Sequence, residues 1–147
     1  MGMQLRTVVV CACGLLLAAC ASTAPRDRMA ERLEEYRAVA GEPVPNFRYF
    51  QLWSWEPLGN EAVAIYTRPG EAWLLDLSGP CHDLPYTPVI GISSSLQRVY
   101  ARFDNVYTGR REIPCRIETI RPVDVKKLRA AAKERREVEA VERAGES

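Results

Sequence analysis

Cys81-His82-Asp83 brings together the three side-chain types of nucleophilic catalysis, but a relay needs groups that converge from separated positions, and three consecutive residues do not converge. His82 therefore reads as a loop residue. Acid–base work would need two carboxylates at one cleft. Of the aspartates, Asp124 is placed to cap a helix, Asp83 sits in a loop, Asp104 precedes a turn and Asp76 is placed to pair with an arginine on a neighbouring strand. Arg98, Arg102, Arg116 and Arg121 fall on or beside strand-like segments, where alternation can put three on one polar face. That makes Arg98, Arg102 and Arg116, with Asp76 and Asp104, the candidate set for binding an anion or a small ligand; the competing reading is a solvated face interleaved with Glu112 and Glu118. No Gly-rich phosphate loop, H-E-x-x-H or G-x-S-x-G occurs, so no catalytic residue, metal ligand or cofactor is assigned.

The cysteines follow a different logic. Arg6 precedes an apolar run from Val8 to Ala19, too short to span a bilayer and closed by small residues, which is the pattern of a secretory signal peptide over residues 1–19. Its removal takes Cys11 and Cys13 and leaves 128 of 147 residues, one small domain, with basic and acidic side chains in balance. That balance provides no electrostatic reason to expect nucleic acid. Besides Cys20, only Cys81 and Cys115 remain, in an oxidising compartment, and a disulfide between them is the leading reading. A redox pair or a metal site is the alternative, against which stand the lack of C-x-x-C and the single histidine.

Leu17-Ala18-Ala19-Cys20 resembles the bacterial lipobox: an aliphatic residue, two small ones and the cysteine that becomes the lipidated first residue. The resemblance implies attachment to a membrane through Cys20, in the cell envelope and facing the periplasm. Ala21 stands where Asp would resemble the inner-membrane retention signal, which points to the outer membrane in a Gram-negative host.

Residues 20–26 read as a tether. Met29, Leu33, Tyr36 and Val39 or Ala40 recur at helical spacing, predicting a helix over 28–40 with Asp27 as N-cap and Gly41 as stop. Beyond Pro43 and Pro45, Phe47, Tyr49, Gln51, Trp53 and Trp55 share one face of an extended stretch, and Tyr49, Phe50, Trp53, Trp55 and Trp73 are read as core. Ala62–Thr67 and Ala72–Leu77 are strands joined by Arg68-Pro69-Gly70-Glu71, a type II turn with positive φ at Gly70. Prolines mark His82–Pro88 as a connection. Val89–Ile92 is a short apolar piece, Val99, Ala101 and Phe103 face inward along one strand, Gly109–Glu112 is a turn, and Ile113, Cys115 and Ile117 share a face. Asp124 caps a helix from Val125 to about Arg143 whose apolar content ends near Lys133. The prediction is an α+β domain over 27–128, built on an antiparallel, hairpin-built sheet of five or six strands with an N-terminal and a C-terminal helix, followed by a charged helical tail over 129–147.

Trp55-x-x-Leu58-Gly59, Trp73-Leu74-Leu75-Asp76-Leu77, Gly79-Pro80-Cys81-x-Asp83-Leu84, Arg98-Val99, Phe103-Asp104-x-Val106 and Cys115-Arg116-Ile117-x-x-Ile120-Arg121-Pro122-Val123-Asp124 together resemble a family of short, uncharacterised proteobacterial lipoproteins classed as a domain of unknown function. The likeness spans about residues 46–128. It implies an exported domain with Cys81 and Cys115 paired and brings no activity with it. The expectation is a non-catalytic accessory or interaction module with an envelope protein as partner.

Overall fold

A computed structural model describes residues 25–109 and 114–145. The expected leader, Cys20, most of the tether, and the turn residues Arg110, Arg111 and Glu112 with Ile113 lie outside the described residues. Helix α1 covers Pro25–Ala38, strands β1 to β8 follow as Asn46–Arg48, Ser54–Pro57, Ala62–Arg68, Glu71–Leu77, Gly91–Ile92, Arg98–Tyr100, Asn105–Tyr107 and Cys115–Val123, and helix α2 is Val125–Gly145. Six strands make one antiparallel sheet in the order β2-β3-β4-β8-β7-β5, and β1 pairs with β6 in a separate two-stranded ribbon. The α+β architecture with two terminal helices and one disulfide is as the sequence indicates.

Both faces of the central strands are covered, which is why Ala62-Val63-Ala64-Ile65 is an unbroken apolar run instead of an alternating one. On one face, Ala62, Ala64, Ala72 and Leu74 pack against Tyr36 of α1 and Val125 and Leu128 of α2. Three alanines let the helices approach closely. On the other face, Val63, Ile65, Leu75, Ile117 and Ile120 meet Phe47 and Val99 of the ribbon. Phe47 stacks on Trp73 at 4.8 Å between ring centroids, so the ribbon is held by an aromatic pair.

Several local expectations are corrected. Helix α1 already includes Pro25 and Arg26, so Asp27 lies in its first turn, where its carboxylate suits the helix dipole, and is not the cap. Gly41 follows the helix against β8: its N–H donates to the Pro122 carbonyl at 2.8 Å, and an added Cβ would come within 3.1 Å of the Pro122 ring. The aromatic stretch from Phe47 to Trp55 is two strands in different layers, and the loop between them leaves Phe50 and Trp53 exposed while Tyr49, Trp55 and Trp73 pack on the core. Gly70 does not take a positive φ, so the β3–β4 turn is not type II; a register shift between Tyr66 and Arg68 sits beside it. Phe103 is exposed because Arg102, at φ 64°, ends the alternation begun by Val99. Asp124 does cap α2, its Oδ1 accepting from the Lys127 N–H at 3.0 Å. Beyond Leu128 no described residue of α2 is buried, and the helix continues as a charged, exposed arm that still meets α1 through Arg135 and Glu35.

Candidate functional site

The five candidate ligand residues do not converge. Asp104 is 2% exposed and works as a structural acceptor: its Oδ1 takes the Ser93 hydroxyl at 2.6 Å and its Oδ2 the Tyr100 N–H at 2.7 Å, tying the β6–β7 turn to the loop after β5. Arg98 sits in the ribbon and donates to Asn46 Oδ1. Arg116 is the second residue of β8 and reaches Ser78 Oγ at 3.2 Å. Arg102 lies in a turn, 3.4 Å from Glu118. Asp76 faces the helices, 3.6 Å from Arg37, so its partner belongs to α1 and not to a strand. Asp76 lines a cleft of about 500 Å³ together with Arg37, Glu61 and Arg121, two cations and two carboxylates. Its charges balance, which removes the basis for an anion site there.

Cys81 and Cys115 are joined as a disulfide with 5.8 Å between Cα atoms, linking the chain after β4 to the start of β8. Cys81 is thereby unable to act as a nucleophile, His82 next to it is exposed, and the Asp83 backbone carbonyl accepts the Tyr86 and Thr87 N–H groups of a 3₁₀ turn over Leu84–Tyr86. Among the described residues no group of His, Cys, Asp and Glu is arranged to hold a metal ion.

The most connected polar cluster was not anticipated from the sequence. Glu56 on β2 and Tyr66 on β3 point to the helix face and meet Arg32 and Tyr36 of α1. Arg32 donates Nε to Glu56 Oε1 at 2.7 Å and Nη2 to Oε2 at 3.3 Å, and its guanidinium lies 4.8 Å from the Tyr36 ring centroid. The Tyr36 hydroxyl donates its one proton to Glu56 Oε2 at 2.5 Å, so the Tyr66 hydroxyl, 2.7 Å away, must donate to the Tyr36 oxygen. Arg32 also meets Glu35, which pairs in turn with Arg135 of α2. One chain of contacts thus clamps both helices to the sheet edge. The only sequence signal was Tyr36 on the apolar stripe of α1; its partners lie 20 and 30 residues away.

Burial, reinforced by the hydrogen bonds to Glu56 and Tyr66, raises the Tyr36 phenol well above its ordinary value of 10.0, and burial raises Tyr49 in the same sense. Above about pH 10 the unfolded chain releases the Tyr36 proton while the fold retains it, so stability is fully present below that pH and falls as pH rises, at about 1.4 kcal/mol per pH unit for this buried phenol. Urea midpoints taken on either side of pH 10 are expected to show this fall, with a shallower slope in Tyr36→Phe. An equal slope in the variant would show that Tyr36 does not titrate as its burial requires.

No functionally described protein and no solved structure matches the chain. A family model does match, over residues 3–139, a span that takes in the apolar run, Cys20 and the described fold as far as Glu139 in α2. This protein belongs to that family, the family of unknown function DUF6491.

Proposed function

We propose that the protein is a lipid-anchored module of the bacterial cell envelope, held at the membrane through acylated Cys20, facing the periplasm and acting without catalysis as an accessory or interaction partner of another envelope protein. The observation that carries this reading is the Cys81–Cys115 disulfide, a bond that persists in oxidising compartments and is rare in the cytosol. The lipobox-like Leu17–Cys20 supports the anchor, and Ala21 supports the outer membrane as destination. Among the described residues no helix is long and apolar enough to cross a membrane. The non-catalytic reading rests on the engagement of Cys81, Asp104 and Asp76 in structural contacts.

Acyl chains contribute about 0.8 kcal/mol per buried CH₂, and more than one chain makes attachment stable. Wild-type protein in host membranes is therefore expected to resist high-salt washing and to be released by detergent in its processed form, whereas the full-chain Cys20→Ser variant is expected to accumulate unprocessed. Normal processing of Cys20→Ser would refute the lipid anchor.

A further inference from the structure

The tip of the β1–β6 ribbon carries a backbone and a surface that the core does not explain. Ser95 and Arg98 exchange both backbone hydrogen bonds, at 2.8 and 3.0 Å, and the two residues between them have positive φ, 50° at Leu96 and 59° at Gln97. This is the φ pattern of a type I′ turn, for which Asn-Gly is the favoured filling, because a residue with a Cβ is strained in the left-handed region. Leu96 bears that strain and is 94% exposed, so it gives nothing back to the fold. Strain that packing does not repay marks a position held for another purpose.

The surroundings indicate which purpose. The Tyr49 N–H donates to the Gln97 carbonyl at 2.9 Å, so Leu96 and Phe50, itself 67% exposed, flank one hydrogen bond. Arg48 stands directly opposite Arg98 across the ribbon, a like-charge pair that weakens strand pairing. Arg98 has Asn46 as its side-chain partner, and among the described residues neither arginine has a carboxylate within ion-pair distance. Phe103, another exposed turn aromatic, differs: Arg102 beside it is paired with Glu118. Exposed apolar side chains at a tip, backed by arginines that have no carboxylate partner among the described residues, are the composition of an interfacial membrane contact, in which the apolar groups enter the acyl boundary and the guanidinium groups take headgroup phosphates.

The ribbon and α1 lie on opposite faces of the sheet, and both reach its edge strand β2. The Phe50–Trp53 loop runs into edge strand β2, and the start of α1 packs on the same strand, where Pro25 and Met29 share a depression with Glu56 and Pro57. Cys20 precedes Pro25 by five residues, a length that reaches at most about 18 Å. We propose that the ribbon tip, Arg48, Phe50, Leu96 and Arg98, is a second membrane contact that binds the anionic phospholipid surface. It goes beyond attachment through Cys20 and does not depend on how that end is held.

The test uses the full chain purified in detergent and reconstituted into vesicles of phosphatidylcholine, or of an equimolar mixture with phosphatidylglycerol, each with plain or bromine-labelled acyl chains. Leu96→Trp is fully exposed and adds a reporter; the emission of Trp53, Trp55 and Trp73 is subtracted using the wild type. The added emission is expected to shift to the blue and to lose its larger part to brominated chains in the phosphatidylglycerol mixture, and to lose much less in phosphatidylcholine alone or when Arg48→Gln and Arg98→Gln are also present. Added emission that remains red and equal in brominated and plain vesicles would overturn the proposal and leave the tip to water or a protein partner. Equal quenching with and without phosphatidylglycerol would overturn its anionic-lipid part. Intact mass of the same sample reads the acylation of Cys20 separately, so a chain without acyl groups that still shows blue, quenched emission refutes the Cys20 reading alone.

Discussion

Phe47→Ala is expected to destabilise the protein by about 3–5 kcal/mol, the range for emptying a buried phenylalanine site. Phe47 is 2% exposed, stands opposite Val99 in the ribbon, stacks on Trp73 and meets Tyr49 edge-on at 6.2 Å. The substitution removes more than contact area. It unseats the ribbon from the sheet face formed by Val63, Ile65 and Leu75, and those side chains would then border a void or water. Since a domain of this size is stable by only about 5–15 kcal/mol, the shift in urea midpoint should be large. Phe50→Ala, three residues on, is the control: its side chain projects from the domain and the change should stay within about 0.5 kcal/mol. Similar midpoints for the two variants would mean that the ribbon is not part of the core.

Removal of the disulfide by Cys81→Ala with Cys115→Ala is expected to cost about 2–5 kcal/mol, and the chain-entropy estimate for a 34-residue separation is ~4 kcal/mol. The bond stabilises chiefly by limiting the unfolded chain. Here it also closes a corner of the fold, because Cys81 is buried and its N–H donates to the Asn60 carbonyl at the β2–β3 turn. Equilibrium unfolding of the double variant beside the oxidised wild type checks this, and coincident curves would contradict it. Thiol labelling of the denatured, unreduced wild type should find neither cysteine free.

The contrast between legible and illegible parts of the chain has a physical cause. Ala62–Thr67, Ala72–Leu77 and Asp124 were readable because a hairpin and a cap are decided by residues close in sequence. The cysteine pairing was readable from compartment and count. The split of the Phe47–Trp55 stretch was not, because alternation shows which side chains share a face but not which layer a strand joins; Phe47 was captured by Val99 and Trp55 by Ile65, partners set by long-range pairing. Phe103 was misjudged for a local reason, the positive φ at Arg102, which nothing in a run of alternating residues announces. As for the candidate site, side-chain types identified Asp104 and the arginines as polar groups of interest, yet types cannot show that Asp104 would be consumed by Ser93 and Tyr100 or that the arginines would be dispersed over separate elements. The Arg32–Glu56–Tyr36–Tyr66 clamp escaped notice because it exists only once α1 is laid across β2 and β3.

The proposed anchor stands or falls on the chemistry at Cys20. Intact-mass spectrometry of the mature protein from its host membranes should find residues 1–19 absent and Cys20 as the amino terminus, heavier than its polypeptide by the mass of its acyl groups, with Cys81 and Cys115 two hydrogens lighter than the reduced pair. A mature chain with Cys20 unmodified, or one that retains the leader, would contradict the lipid-anchored assignment.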